Sequence, residues 1–475
     1  MVFSSLTFLY LFLPACIILY FLMPTIFYKN LILVILSLFF YAWGEPVYVV
    51  LLILSAAVNF WFGIRIDRAR RKKADSSAKL LMVLSVVFNL GLLGYFKYAG
   101  FLVENINHLG LSLKVPEIIL PIGISFYTFQ TLSYVIDVYR GHVQVQRSYL
   151  NLLLYVSLFP QLIAGPIVRY SDIEPQVSDR KIKLSSIFYG ATRFCIGLGK
   201  KVLIANYAGK IASQMLDGDL ASLTTVGGWL GILMFTFQIY FDFSGYSDMA
   251  IGLGRVFGFR YLENFDLPYI SRSITEFWRR WHISLGSFFR DYVYIPLGGN
   301  RKHQFFNLLV VWTLTGLWHG ASWNFALWGL YFFVLLYIEK QIPNTLGKIP
   351  GFVRQFCTFL LVVLGWVLFY CTDLSRLGTT FGVLFGFKGA GFSNSQIGIT
   401  LLNNLPLLLV CILGSTQLPR FLGMLFGGLC ADKPGENKKR KLYICVVYVF
   451  DLLILALSTI SLVGSSYNPF LYFRF

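Results

Sequence analysis

The sequence predicts an all-α integral membrane protein, and its composition and apolar pattern carry that prediction. Hydrophobic residues make up 57% of the 475 residues, charged residues only 13%, and the mean hydropathy is +0.67. A soluble domain carries about 25% charged residues, so this chain has too few charges to cover its surface against water. Apolar stretches of about 20 residues, the length of a membrane-spanning helix, recur along nearly the whole chain.

We expect roughly eleven transmembrane helices with one or two re-entrant pieces. The clearest apolar stretches are Leu6–Met23, Leu31–Trp43 running on to Val47–Gly63, Leu80–Tyr98, Ile118–Ile136, Tyr149–Val168, Val226–Phe243, Phe305–Tyr337, Phe352–Tyr370, Ile399–Gly414 and Leu442–Val463. Ile118–Ile136 and Tyr149–Val168 contain prolines and glycines. Because lipid tolerates broken backbone only where protein or a wet cavity covers it, these two segments are expected to line a cavity or to re-enter.

The basic residues predict how the chain is oriented. Lys and Arg number 40 against 22 Asp and Glu, a net charge of +18, which in a membrane protein marks cytoplasmic loops more than nucleic-acid binding. The basic clusters lie at Arg65–Lys73, Arg272–Lys302 and Lys433–Lys441. With these inside, the last span places the tail Ser465–Phe475 outside. We therefore divide the chain into a core, residues 1–441, and a C-terminal transmembrane helix with an extracytoplasmic aromatic tail, residues 442–475. An interfacial aromatic belt is the alternative for the tail.

The longest polar stretch, residues 262–304, predicts an amphipathic helix at the cytoplasmic interface. Ser273 and Glu276 have the spacing of a capping box, and apolar residues recur at helical spacing as far as Phe289. Arg279 and Arg280 fall on the polar face. They either anchor the helix to anionic lipid or bind an anionic, phosphate-bearing donor. His282 lies at the edge of the apolar stripe and is expected to face inward.

His319 is the histidine with the strongest indication of function. It lies in the apolar run Phe305–Tyr337, where an ionisable side chain is costly and by default indicates a functional site. Histidine also exchanges a proton near neutral pH. The alternative is a histidine hydrogen-bonded between helices for packing. We expect no metal, because His282 and His319 have neither a His-Glu-x-x-His pattern nor a third ligand nearby.

Several motifs together resemble the membrane-bound O-acyltransferase family, in its bacterial alginate O-acetyltransferase branch. The resemblance covers nearly the whole chain. The motifs are Ser37–Pro46, Pro121–Gln130, Ala164–Pro166, Trp278–Leu285, Tyr294–Arg301, Leu317–Gly320 and the terminal Phe470–Phe475. The resemblance implies a helical bundle around a central funnel and an O-acetyltransferase of the bacterial inner membrane, active in O-acetylation of an extracellular polysaccharide such as alginate.

The resemblance also implies roles for individual residues. The catalytic histidines of the family map onto His319 and His282, and the aromatic tail assigns Tyr472 as an acyl carrier. The candidate donor-binding residues are Trp278, Arg279, Arg280 and Asn300. No bound cofactor is implied. The expected donor is acetyl-CoA or another thioester, and the expected partner is an extracytoplasmic hydrolase-like acetyltransferase.

A relay mechanism fits both the resemblance and the predicted orientation. His319 acts as general base on the Tyr472 phenol, which attacks the donor thioester, while His282 orients the donor or stabilises the oxyanion. Two rival functions remain open. One is a transporter or flippase of an anionic glycolipid, for which an inverted repeat is not seen. The other is a D-alanyl exporter for teichoic acid.

Overall fold

The computed structural model describes residues 1–422, 437–465, 467, 468 and 471. Across this part of the chain the regular structure is helical, without a strand, as the composition predicted. The helices in chain order are α1 (Leu13–Leu22), α2 (Ile26–Ala42), α3 (Tyr48–Arg71), α4 (Asp75–His108), α5 (Ile124–Arg140), α6 (Tyr149–Ser157), α7 (Phe159–Leu162), α8 (Tyr170–Ser178), α9 (Leu184–Gly199), α10 (Asn206–Leu216), α11 (Thr225–Val256), α12 (Ile274–Arg280), α13 (Ile283–Phe289), α14 (Gln304–His319), α15 (Trp323–Gln341), α16 (Pro343–Lys348), α17 (Gly351–Tyr370), α18 (Leu374–Leu384), α19 (Ser395–Gly414) and α20 (Asn437–Gly464).

The chain forms two compact units. Unit 1 comprises residues 1–194 and 247–262, and unit 2 comprises residues 195–246 and 263–475. Two of the three boundaries fall inside α9 and α11, so each of these helices contributes residues to both units, and the third boundary follows residue 262. These units reflect packing, whereas the predicted division after residue 441 concerned function and stays a prediction.

Six of the described helices are long and apolar enough to cross a membrane: α3, α4, α11, α17, α19 and the Ile444–Gly464 part of α20. Phe8–Leu22 and Ile26–Ala42 are shorter apolar helices. Only 11% of the apolar window is buried in α19 and in α20. Such surfaces need lipid around them. The protein is therefore a multi-pass membrane protein, although the predicted count of roughly eleven spans is not confirmed.

The two proline- and glycine-containing segments of unit 1 are broken, as predicted, and the break is covered by protein. Tyr149–Val168 divides into α6 and α7, whose junction is held by a hydrogen bond from the Phe159 N–H to the Ser37 hydroxyl at 3.1 Å. α5 starts only after Gly123, at a φ of +76°. A Cβ at this position would lie 2.7 Å from the Leu162 carbonyl oxygen, so glycine is required where the two segments meet.

Unit 2 has a core built largely from aromatic rings. α14 and α15 pack as a hairpin, and α12 and α17 lie against α15. Trp328 and Trp366 are fully buried at 0% and 1% exposure, and Phe332 fills the space beside them. A core of large, stiff rings leaves few alternative packings. The candidate histidines are attached to this rigid frame.

Candidate active site

The central polar block folds as two short helices, not as the single amphipathic helix that its spacing predicts. α12 begins where the capping box indicated, because the Ser273 hydroxyl accepts a hydrogen bond from the Glu276 N–H at 3.0 Å. The helix ends at Arg280, and His282 has a left-handed backbone with φ of +47° before α13 begins. The break turns the His282 side chain into unit 2, as its place in the apolar stripe predicted.

The apolar face of this block packs against protein. The Trp278 ring lies 4.7 Å from Trp312, 5.4 Å from Trp328 and 4.8 Å from Phe332, measured between ring centroids. α14 and α15 supply these three partners. The face is thus covered by neighbouring helices, and not by lipid as an interfacial helix would require. Whether Arg279 and Arg280 on the other face anchor the block to anionic lipid stays a prediction.

Asn264 determines which nitrogen of His282 carries the proton. Its side-chain oxygen accepts a hydrogen bond from the backbone N–H of Ser284 at 3.1 Å, which identifies this atom as the amide oxygen. His282 Nδ1 lies 3.2 Å from the same oxygen. Since an amide oxygen only accepts, Nδ1 carries the proton and donates it. The other nitrogen, Nε2, therefore presents a lone pair.

His282 is a neutral base held inside the protein. Its side chain is 2% exposed, and no described residue offers Nε2 a hydrogen bond. Burial lowers the pKa of His282 to about 3, so the ring is uncharged near neutral pH. A buried acceptor without a protein partner is costly unless a ligand or solvent group donates to it. Nε2 is therefore a candidate contact for an N–H or O–H of a bound molecule.

His319 lies at the turn of a helical hairpin. It is the last residue of α14, and the chain turns back directly into α15. The apolar run Phe305–Tyr337 thus consists of two helices, and His319 lies where the first of them ends. A Cβ on Gly316 would clash with the Phe325 carbonyl oxygen and approach the Gly329 Cα to 3.2 Å. These glycines serve close helix packing rather than substrate space.

The structure brings the two candidate histidines to the same aromatic cluster. The Trp318 ring centroid lies 4.9 Å from that of His319 and 5.7 Å from that of His282. Trp328 and Phe369 each lie 5.1 Å from the His319 ring. Both imidazoles therefore lie beside one indole, although 37 residues separate them in sequence, the difference between positions 319 and 282.

A cavity of about 390 Å³ leads to this site along α12, α13 and α14. Its lining includes residues on one face of α14, namely Leu308, Val311, Trp312 and Thr315. His282 lines the cavity. His319 does not line it, but lies about one helical turn after Thr315, which does. A volume of this size fits a small ligand or one arm of a larger one.

Cations collect along the same cavity. Arg279 and Lys340 line it, and burial together with the neighbouring Arg279 lowers the pKa of Lys340, which lies beyond the predicted span. The described residues give Arg279 no carboxylate partner. Arg280 differs, since it pairs with Glu276 at 2.8 Å and with Asp266 at 3.9 Å and does not line the cavity. Of the two predicted donor-binding arginines, Arg279 is therefore the one available to an anion.

The other two predicted donor-binding residues have different surroundings. Trp278 lines the cavity. Asn300 lines a neighbouring cavity of about 810 Å³ that shares Arg290 and Tyr294 with the first. Its side-chain oxygen accepts from the Tyr294 hydroxyl at 2.6 Å and from Lys340 Nζ at 3.1 Å. Asn300 thus positions cavity residues. No group of three His, Cys, Asp or Glu side chains within the described residues is placed to hold a metal ion.

The predicted acyl carrier, Tyr472, lies outside the described residues, but the chain next to it is described. Leu471 is 4% exposed and belongs to the apolar core of unit 2. Its backbone N–H donates to Asp242 Oδ2 at 3.0 Å. Asn468 Oδ1 accepts from Asn206 Nδ2 at 3.1 Å. The C-terminal segment is thus fixed inside unit 2 at two points.

The residue prediction missed Asp242, Lys201 and Asn264. One signal was available, because Asp242 is an acidic residue inside the predicted span Val226–Phe243 and such residues indicate function by default. The partners of Asp242 and the role of Asn264 had no comparable signal, since both depend on contacts between segments distant in sequence.

Comparison with known proteins places the chain among membrane acyltransferases. The profile of the membrane-bound O-acyltransferase family matches residues 142–377. The chain is 40% identical to the probable alginate O-acetylase AlgI of Azotobacter vinelandii over 100% of both chains. It is 31% identical to the peptidoglycan O-acetyltransferase of Helicobacter pylori over 100% of this chain and 98% of that one. It is 30% identical to the teichoic acid D-alanyltransferase of Bacillus subtilis over 45% of this chain and 58% of that one.

The helical membrane fold and these matches define the class of protein. The chain belongs to the membrane-bound O-acyltransferase family and is an O-acyltransferase. Within that family it resembles the alginate O-acetylase branch along its full length, which confirms the resemblance seen in the motifs.

Proposed function

We propose that this enzyme takes an acetyl group from a cytoplasmic thioester donor, acetyl-CoA, and passes it across the bacterial inner membrane for O-acetylation of an alginate-type polysaccharide. The observation that carries the proposal is the cavity with cations along its wall and the buried, neutral His282 beside the His319 cluster. The alginate and peptidoglycan relatives support an acetyl group as the transferred acyl unit.

The cavity suits a donor with an anionic head and a thin apolar arm. Arg279 and Lys340 supply positive charge, and Trp278, Trp312 and Leu308 supply an apolar wall. A phosphate on the donor pairs with Arg279, whose guanidinium has no carboxylate partner among the described residues. An amide N–H of a pantetheine arm donates a hydrogen bond to the lone pair of His282 Nε2. This supports the donor-orienting role of His282; the oxyanion role would need an N–H at that nitrogen.

The chemical step we propose is a transfer to Tyr472. His319 accepts the phenol proton, and the phenol oxygen forms a bond to the thioester carbonyl carbon. The carbon–sulfur bond breaks, and the thiolate leaves with the proton from His319. A phenol has a pKa of about 10, so the acetyl ester of Tyr472 remains reactive. A serine hydroxyl of an extracytoplasmic hydrolase-like partner then takes the acetyl group and regenerates the phenol.

Covalent labelling tests this function. Membrane vesicles with the cytoplasmic face outward are given radiolabelled acetyl-CoA, and the purified chain is expected to carry an acetyl ester that hydroxylamine releases. A glycolipid flippase would take up no label. Labelling from a D-alanyl carrier, and not from acetyl-CoA, would instead support a D-alanyl exporter. Either result would replace the proposal.

A donor-site prediction follows from the different surroundings of the arginines. Arg279→Gln removes a charge-assisted contact worth roughly 1.5–3 kcal/mol, so the KM for acetyl-CoA is expected to rise about tenfold or more, with a smaller effect on kcat. Arg272→Gln is the matched control, because Arg272 is an exposed arginine of the same block that does not line the cavity. Equal KM values for the two variants would contradict donor binding by Arg279.

A further inference from the structure

Unit 2 contains a buried ion pair that the proposed chemical step does not use. Lys201 Nζ lies 2.8 Å from Asp242 Oδ1, and the two side chains are 4% and 2% exposed. Burying two charges costs several kcal/mol per ion before their attraction is counted. A well-packed apolar pair would often be as stable. The retained charges therefore call for a role beyond packing.

Lys201 lies in a π-helical segment, Lys200–Ala205, between α9 and α10. Such segments are rare and are frequently found at functional sites. Lys201 also donates to Asn206 Oδ1 at 2.9 Å. Because the Asn206 oxygen accepts from the ammonium, its NH₂ group must face the other way, toward Asn468.

The C-terminal segment supplies the groups that complete this network. Asp242 Oδ1 pairs with Lys201, while Oδ2 accepts from the Leu471 N–H at 3.0 Å. Asn206 Nδ2 donates to Asn468 Oδ1 at 3.1 Å. The Leu471 side chain is buried in the apolar core of unit 2. Two hydrogen bonds and one buried side chain thus hold a short segment whose next residue is Tyr472.

We propose that Lys201, Asp242 and Asn206 form a receptor for the C-terminal tail and act as positioning residues for Tyr472. The Lys201 ammonium, 2.8 Å from Oδ1, holds the Asp242 carboxylate in the orientation in which Oδ2 accepts from the Leu471 N–H. Asp242 is also followed by Phe243, whose ring lies 4.6 Å from His282. The receptor therefore fixes the tail within a few residues of the histidine site. The proposal rests on the proposed carrier role of Tyr472.

The test separates the acceptor oxygen from the charge. In full-length protein carrying Lys201→Met, Asp242→Asn is compared with Asp242→Leu. Both double variants remove the two buried charges together, so neither leaves an uncompensated charge inside the protein. Asn keeps an oxygen for the Leu471 N–H, and Leu of similar size does not. Hydrogen exchange of the C-terminal peptide in detergent measures how firmly the tail is held, and labelling by acetyl-CoA measures transfer.

If the receptor holds the tail, the amide hydrogen of Leu471 is expected to exchange at least about tenfold faster in the Leu variant than in the Asn variant. This is the effect of losing one hydrogen bond of about 1.4 kcal/mol. Equal exchange in the two variants would overturn the receptor. Faster exchange with unchanged acetyl labelling would keep the receptor as a binding site for the tail and overturn its positioning role for Tyr472, whereas loss of the carrier role itself would show as unchanged labelling in Tyr472→Phe. If neither variant folds, Asn468→Ala decides, because it leaves the ion pair intact: faster exchange supports the receptor and wild-type exchange overturns it.

Discussion

Replacing His319 with alanine or glutamine is expected to reduce acetyl transfer by at least 10²-fold, since general base catalysis contributes roughly 10²–10⁴-fold. The expectation rests on position as well as residue type. His319 ends α14 at the turn of a hairpin, and its ring shares the Trp318 contact with the cavity-lining His282. Without this base, the Tyr472 phenol stays protonated near neutral pH and attacks the thioester slowly. The measurement is acetate on the polymer, with membrane levels of the protein checked in parallel.

The alanine and glutamine variants separate catalysis from packing. Alanine leaves a hole among Trp318, Trp328 and Phe369, whereas glutamine fills most of the space and retains a polar end. If His319 served packing alone, glutamine would restore activity. His108→Ala is the control, because this exposed histidine ends α4, remote in sequence from the site. Wild-type transfer by His319→Gln in properly folded protein would overturn the base role.

The hairpin that carries His319 could be predicted in part from the sequence. The run Phe305–Tyr337 is 33 residues long, counted from its end positions, whereas one span needs about 20. Its length alone indicates two helices, and Gly320 and Ser322 mark where the chain turns. The ionisable residue in the run identified the site. Its place at the turn follows from packing at Gly316 and Gly329, which a single sequence does not display.

Local sequence patterns could not predict the helix break at His282. Apolar spacing from Ile274 to Phe289 is helical throughout, and the capping box gave the start of α12 correctly. The helix stops because Asn264 accepts hydrogen bonds from the backbone on the far side of the break, at Ile283 and Ser284. These bonds join residues about 20 positions apart. Tertiary contacts here override local helical preference, and the same contacts set the His282 tautomer.

The contacts of the C-terminal tail also depend on residues that are distant in sequence. Basic residues predicted that the tail lies outside the cytoplasm, and its aromatic motif predicted a carrier role for Tyr472. A relay through His319 requires this tail to fold back towards the site, but neither pattern indicated the residues that hold it, namely Asp242 for Leu471 and Asn206 for Asn468. A tail fixed by hydrogen bonds is pre-organised, so less entropy is lost when its next residue reacts.

Replacing Tyr472 with phenylalanine is therefore expected to stop acetyl transfer to the polymer while the protein stays in the membrane. The change removes one oxygen atom and leaves the ring, so folding and the Leu471 contacts are expected to persist. Without the phenol oxygen no acetyl ester forms, and residual acetylation is expected to fall by at least 10²-fold, as for loss of an activated nucleophile. Polymer-bound acetate and label on the purified chain are both measured.

Tyr467→Phe is the matched control, because Tyr467 lies in the same tail and its hydroxyl makes, among the described residues, one long contact of 3.5 Å with the Ser213 hydroxyl. It is expected to keep most of the transfer activity. A Tyr472→Phe enzyme that still acetylates the polymer normally would show that the acetyl group passes directly from the donor to the partner. In that case the tail receptor would act on access to the site, and His319 would have to activate an external acceptor. The expected pattern is loss of transfer and of label in both Tyr472→Phe and His319→Gln, with activity retained in Tyr467→Phe. A base and its nucleophile produce this pattern when they act as one unit.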